Sequence, residues 1–205
     1  KRNTSPGADT ISYEMLKQLP NQSKLELLKI LNTSWERGEV PAGWKLATII
    51  PIKKPNKDKM DPQSYRPISL TSCICKTMET MIAKRLTHHL EKHNCLSNNQ
   101  SGFRPGRSTI DQLTRLESEI KKSFMENHVV VAATIDLEKA FDLMWTTGAI
   151  INLKKCGITG NMLKWIHNFL IGRKIQVRVG DETSDPFDLE NGCPQGSVVS
   201  PILFN

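Results

Sequence analysis

The run Val129-Val130-Val131-Ala132-Ala133-Thr134-Ile135 constrains this chain more than any other stretch, because it is continuous, largely β-branched and closes on Asp136. Apolar residues without alternation are what a strand covered on both faces requires, so the run predicts a buried strand. An acid at its end is then aimed by a rigid element. Asp136 can cap the turn that follows or present its carboxylate to chemistry, and strand and acid alone leave both open.

A chain of 205 residues can bury one sizeable core or divide into two small lobes. With 38% hydrophobic and 24% charged residues, it has the composition of a soluble globular protein and not of a disordered one. The net charge of +7 attracts polyanions at long range, nucleic acid foremost, although a generically basic surface gives the same number. No apolar run approaches the length that spans a bilayer, so no membrane partner is expected. Lys1-Arg2-Asn3-Thr4 is neither an initiator Met nor a signal peptide, and Pro201-Ile202-Leu203-Phe204-Asn205 stops inside the opening turns of a helix. Both ends are expected to be cuts from a longer polypeptide, with Ile202, Leu203 and Phe204 left short of apolar partners. Cys73, Cys75, Cys95, Cys156 and Cys193 are odd in number and irregularly spaced, which predicts reduced thiols and an intracellular protein. His89, His93 and Cys95 lie close together, yet no second Cys/His pair follows at zinc-site spacing.

Along the chain, Ser5-Pro6-Gly7-Ala8-Asp9 leads into a short helix through Tyr13, Met15, Leu16 and Leu19, stopped by Pro20. Ser23 and Glu26 predict a capping box for the next helix, which Gly38 ends. Ala47–Lys53 and Tyr65–Leu70 read as extended segments joined by a Lys-bearing turn. Such a ribbon can fold over a polyphosphate with Lys53 and Arg66 as donors, or be a solvated surface hairpin. From Ser72 to about Lys92 the stripe Ile74, Met78, Ile82, Leu86 and Leu90 predicts a long amphipathic helix facing a core. Gln100–Thr109 is a basic loop, and Ser108 with Asp111 fits a capping box for a helix from Ile110 to Met125. Arg104 and Arg107 in that loop favour phosphate, while Arg104 can equally clamp an internal carboxylate. Helices are expected over Thr147–Lys155 and Asn161–Leu170. A hairpin follows from Lys174 to Leu189 around Gly180-Asp181, with Lys174, Gln176 and Arg178 on one wet, basic face. Asn191–Pro201 is a tight polar loop leading into a helix.

Taken together and in this order, four blocks resemble the successive motifs of reverse transcriptases from non-LTR (LINE-type) retrotransposons. They are Pro51-Ile52-Lys53-Lys54-Pro55 with Tyr65-Arg66-Pro67-Ile68-Ser69-Leu70, Gly102-Phe103-Arg104-Pro105-Gly106-Arg107-Ser108-Thr109, Asp136-Leu137-Glu138-Lys139-Ala140-Phe141-Asp142, and Gly192-Cys193-Pro194-Gln195-Gly196-Ser197-Val198-Val199-Ser200-Pro201-Ile202-Leu203-Phe204-Asn205. The resemblance covers essentially the whole chain. It implies an α/β (α+β) right-hand polymerase, with fingers and a helical lead-in over residues 1–125 and a partial palm over 126–205. The implied reaction is two-metal transfer of dNTPs onto a primer 3′-hydroxyl against template RNA, with Mg²⁺ as the two ions and Mn²⁺ as a substitute.

On the family pattern Asp136 is catalytic and binds both metals, joined by the backbone carbonyl of Leu137. Phe141 matches the aromatic on which the deoxyribose rests, where a 2′-hydroxyl would clash. Asp142 matches a second acid, either orienting or a structural cap. Lys53 and Arg66 match the groups that hold the triphosphate. Gln195 and Gly196 match the loop that shapes the nucleotide pocket, and Arg104 and Arg107 are expected on the template backbone. Implied partners are template RNA, a DNA or RNA primer, dNTPs, and the remaining palm, thumb and an endonuclease domain of one polyprotein, in a cytoplasmic and nuclear ribonucleoprotein.

Two departures matter. The aromatic-Ala-Asp-Asp hairpin that supplies the family's other metal carboxylates does not occur, so the fragment is expected to be truncated before it and inactive alone. Leu143-Met144 and Thr146 around Trp145 replace residues that are often polar, small or His. A catalytically inactive RNA-binding remnant and an intron-maturase-like RNA-binding module share the same motifs and stand as alternatives.

Overall fold

The computed structural model describes residues 5–205, so the expectation for Lys1–Thr4 lies outside the described residues. Ser12 opens the first helix, α1 (Tyr13–Gln18), by accepting from the Met15 N–H at 3.3 Å. Helix α2 (Asn21–Arg37) follows directly on Pro20 and ends at Gly38, whose φ of 67° suits a residue without a Cβ. The predicted Ser23–Glu26 capping box is therefore corrected. The helix has already started at Asn21, and Glu26 pairs with Lys29 at 2.8 Å instead.

A short α3 (Ala42–Lys45) feeds β1 (Leu46–Lys53), and a 3₁₀ turn at Pro62–Ser64 precedes β2 (Tyr65–Leu70). Next come α4 (Cys73–Lys92), α5 (Thr109–Met125), α6 (Thr146–Lys155) and α7 (Gly160–Leu170). The chain then forms β3 (Arg173–Val179), β4 (Glu182–Thr183), β5 (Phe187–Leu189) and α8 (Ser200–Phe204).

The α4 stripe does what its spacing requires. Ser72 caps it through the Cys75 N–H, and Cys75, Met78, Ile82, Leu86 and Leu90 are buried. They pack into one core with Trp165, Ile166, Phe169 and Leu170 of α7 and with Ile150 and Leu153 of α6. Each such side chain contributes about 1.5–3 kcal/mol when removed from water. Two polar ties lock α7 onto the α2 end of the chain. Trp165 Nε1 donates to Ser34 Oγ at 3.0 Å, and the Val40 N–H donates to Asn168 Oδ1 at 2.8 Å.

Five strands form one sheet in which β1 is antiparallel to β2 and parallel to β3, and β3 carries β4 and β5 on its other edge. The expected two-stranded ribbon is thus one side of a larger sheet that crosses residue 125 without a break. The predicted wet, basic face of β3 is only partly so. Lys174 and Arg178 are exposed, but the neighbouring β1 takes Gln176, whose Nε2 donates to Thr48 Oγ1 at 3.0 Å.

The buried strand expected at 129–135 is overturned. The segment forms no strand, and Val129, Val131 and Ile135 are 89%, 90% and 90% exposed. A strand is stable only when a neighbour pairs its N–H and C=O groups, and none of the described strands runs beside this one. The apolar face of α5 is bare for the same lack of a covering layer, with Leu113 and Phe124 each 64% exposed.

Candidate nucleotide and template site

The site is built where two loops meet. The turn 139–145, closed by the Leu143 N–H on the Lys139 carbonyl at 2.9 Å, lies against the loop 192–197. Backbone bonds join them: the Gly192 N–H donates to the Met144 carbonyl at 3.0 Å, and the Cys193 N–H to the Phe141 carbonyl at 2.8 Å. A Cβ on Gly192 would stand 2.5 Å from the Asp142 carbonyl oxygen, and its φ is 89°, so only glycine fits this crossing. On its far side the loop is tied to the ribbon, because the Ser69 N–H donates to the Gln195 carbonyl at 3.1 Å.

These ties place two of the expected residues in contact. Gln195 Nε2 donates to both carboxylate oxygens of Asp142 at 3.3 Å. Asp142 therefore orients Gln195, one of the two roles the sequence left open for it. Gly196 takes a φ of 110°, a conformation that other residues adopt only under strain. Burial pushes the Cys193 thiol up from its ordinary value, against a lowering by the Ser200 hydroxyl.

Above the paired loops opens a cleft of about 680 Å³, bounded by the ribbon on one side and the turn 138–142 on the other. Arg66, Gln195 and Asp142 line it, joined by Tyr65, Lys54, Glu138 and Lys139. Three cations face two acids there, which suits an anionic ligand. Lys139 reaches the wall through a left-handed backbone, φ 52°, a strain of about 1 kcal/mol. Neither Lys54 nor Lys139 was singled out from sequence. Strand alternation at a ribbon end does not decide which of Lys53 and Lys54 turns inward, and a lysine at positive φ leaves no local signature.

The remaining expected residues lie elsewhere. Lys53 is exposed at the end of β1 and does not line the cleft. Phe141 is half-buried, its ring tilted 38° against Phe204 at a centroid distance of 5.6 Å, because α8 offers it an apolar surface. Asp136 and Leu137 are exposed on the extended segment, with Leu137 and Glu138 lining a second surface groove beside Trp145 and Phe204.

For Arg104 the template contact is corrected. Its Nε and Nη2 donate to the two Glu91 oxygens at 2.8 and 2.6 Å, and its Nη1 donates to the Ser97 and Gln100 carbonyls at 2.5 and 3.0 Å. The guanidinium is buried and every nitrogen is engaged, so it clamps the fold and offers nothing to phosphate. Arg107 is the reverse case, exposed and held only by the Asn98 carbonyl at 3.3 Å. The loop ends in the predicted capping box, with Asp111 Oδ2 accepting from the Ser108 N–H at 2.6 Å.

Among the described residues no three His, Cys, Asp or Glu side chains converge to hold a metal ion. Asp136 and the Leu137 carbonyl are hard oxygen donors, and Mg²⁺ is commonly held by one or two carboxylates with substrate phosphates and waters. Both are the donor type that such an ion takes.

Comparison with known proteins identifies the family. The family model described as reverse transcriptase (RNA-dependent DNA polymerase) matches residues 52–205. The chain is 37% identical over 98% of its length to the probable RNA-directed DNA polymerase from transposon BS of Drosophila melanogaster, covering 22% of that protein. It is 31% identical over 100% of its length to the RNA-directed DNA polymerase from mobile element jockey of Drosophila funebris, again 22% of it. To the retrovirus-related Pol polyprotein from type-2 retrotransposable element R2DM of Drosophila melanogaster it is 27% identical over 98% of the chain and 18% of the relative. The chain thus spans about a fifth of the length of these relatives. Enzymes of this family depend on divalent metal and act on a nucleic-acid template and primer. The blocks running from the ribbon through the Gln195-Gly196 loop, and the match over residues 52–205, establish that the chain belongs to the reverse transcriptase family.

Proposed function

We propose that this chain is the nucleotide- and template-gripping part of an RNA-directed DNA polymerase of the LINE type, adding dNTPs to a DNA or RNA primer against template RNA. The cleft carries this reading: Arg66, Lys54 and Lys139 line one cavity with Gln195, which Asp142 holds in place. Guanidinium and ammonium groups lining one cleft would neutralise a triphosphate, and Gln195 would then border the base and sugar. Lys53 lies outside this cleft at the exposed strand end, and Lys54 takes the place expected of it. Gly196, where a Cβ would stand 3.2 Å from the Ser69 carbonyl oxygen, keeps the loop close to β2 beside the template path, and Arg107 would contact the template backbone without sequence preference. Phe141, half-buried against Phe204, would be the aromatic on which the deoxyribose rests.

Asp136 with the Leu137 carbonyl would hold one divalent ion, Mg²⁺ or Mn²⁺. When bound, that ion supplies charge neutralisation at the triphosphate and acidifies the primer hydroxyl. The second ion of the family pattern needs carboxylates other than those described. We place these in the remaining palm of the parent polypeptide, alongside a thumb and an endonuclease domain, in an intracellular ribonucleoprotein. No helix among the described residues is long and apolar enough to cross a membrane.

In the full-length parent polypeptide, Asp136→Ala should abolish primer extension and leave RNA binding intact, because it removes a ligand and no template contact. Comparable extension by the mutant refutes the assignment. Wild-type protein that binds RNA and extends no primer would instead favour the inactive RNA-binding module.

A further inference from the structure

Glu79 sits on the buried face of α4, one helical turn beyond Cys75, and is 0% exposed. An ionisable side chain in that position needs partners, and they come from the loop some 120 residues later in the chain. Glu79 Oε2 accepts from Ser197 Oγ at 2.5 Å, from the Val198 N–H at 2.6 Å and from the Val199 N–H at 3.4 Å. Ser197 Oγ also accepts from the Val199 and Ser200 N–H groups, each at 3.2 Å. One carboxylate thus gathers the donors of the backbone that follows Gln195-Gly196. Arg173, 1% exposed and stacked 4.7 Å over the Phe169 ring, lies in the same buried region. Its Nε and Nη2, and Glu79 Oε1, carry no hydrogen-bond partner. Opposite charges confined there attract each other and resist withdrawal of either one.

The loop has anchors on three sides. Gln195 is tied back to β2 by Ser69, Cys193 to the turn by Phe141, and Ser197 to α4 by Glu79. Between the first and third stands Gly196, whose φ of 110° a residue with a Cβ adopts only under strain. Without the Glu79 anchor, only the Ser197 N–H on the Pro194 carbonyl at 3.2 Å holds the far end of this turn, and the Gln195 amide drifts from Asp142. We propose that Glu79 is a positioning residue for the nucleotide pocket, holding the 197–199 backbone so that the Gln195 side chain stays on Asp142 at the cleft. This rests on the polymerase reading of that cleft.

The test uses the full-length parent polypeptide, with Glu79→Ala, Glu79→Gln and Ser197→Ala assayed for primer extension on an RNA template. Glu79→Ala should raise the KM for dNTP about tenfold or more, since three donors lose one acceptor, while the Kd for primer-template stays unchanged. Glu79→Gln keeps an acceptor oxygen in place and should recover most of that loss. Ser197→Ala, which leaves the α4 core untouched and keeps the experiment decisive if Glu79→Ala misfolds, should shift KM the same way by less. An unchanged KM in all three, or parallel loss of kcat and template binding, overturns the proposal. A wild-type protein without extension would sink the polymerase reading separately. Amide exchange then decides on the anchor: Val198 and Val199 exchanging about tenfold faster in Glu79→Ala, and near the wild-type rate in Glu79→Gln, supports it, and unchanged exchange in Glu79→Ala overturns it.

Discussion

Arg104→Ala separates a structural clamp from a template contact. The side chain is 5% exposed and its partner Glu91 30% exposed, and the guanidinium makes two bonds to the carboxylate and two to backbone carbonyls. Hydrogen bonds to charged groups contribute about 1.5–3 kcal/mol each, but Glu91 lies near enough to water to be partly rehydrated once its partner is gone. The net loss should be about 3 kcal/mol, which lowers the melting temperature by about 6–12 °C in a domain of this size. Urea and thermal denaturation of matched variants read this directly, and a double-mutant cycle with Glu91→Ala should show the two effects to be strongly non-additive.

Acid adds an independent check on the same pair. The Arg104 hydrogen bonds hold the Glu91 carboxyl below its ordinary value. A carboxylate whose folded pKa is depressed contributes stability above its unfolded pKa, about 4.3, and loses it as pH falls through the folded value. The stability gap between wild type and Glu91→Gln should therefore be full at neutral pH and close at pH below the normal carboxylate range. If Arg104→Ala leaves stability untouched and instead weakens RNA binding with a flatter salt dependence, the clamp is wrong and Arg104 faces the template.

Two further outcomes follow from the same geometry. Arg107→Ala should leave the melting temperature unchanged and reduce the slope of log Kd for RNA against log salt by about 0.7–1, one phosphate contact; an unchanged slope removes Arg107 from the template path. Gly192→Ala drives a Cβ to 2.5 Å from the Asp142 carbonyl oxygen at a φ of 89°, so it should cost about 2–3 kcal/mol and raise the KM for dNTP in the parent polypeptide; a variant equal to wild type in both would show that the two loops need not touch.

Elements whose instructions are local were legible in the sequence. Strand β2 lies at Tyr65–Leu70 as expected, and helix α4 is set by Ser72 at its start and by a periodic stripe, signals that act within a few residues. Pairing is another matter. Nothing near Leu46 states that β1 will lie parallel to a strand beginning at Arg173, because parallel neighbours are joined through long crossovers and recognise each other only by surface. The run 129–135 shows the converse. Its residues suit a strand interior, yet a propensity expresses what a segment does when a neighbour is present, and the described sheet closes without it.

At the site the same division holds, and it explains which residues could be read. Gln195 and Asp142 were legible only through the resemblance of their motifs, and Gly192, where a carbonyl comes within 2.5 Å of an absent Cβ, shows its role only once the two loops are seen to cross. Arg104 and Arg107 are indistinguishable by that standard, three residues apart in one basic loop. What divides them is Glu91 in the last turn of α4, close enough to saturate one guanidinium and not the other. Glu79 had a signal that periodicity alone does disclose: an acid inside an otherwise apolar stripe, in register with Cys75 and Ile82, where burial without partners is too costly to persist. A charge written into a core face therefore demands a donor set from elsewhere in the chain, and here that set is the backbone of the loop that carries Gln195.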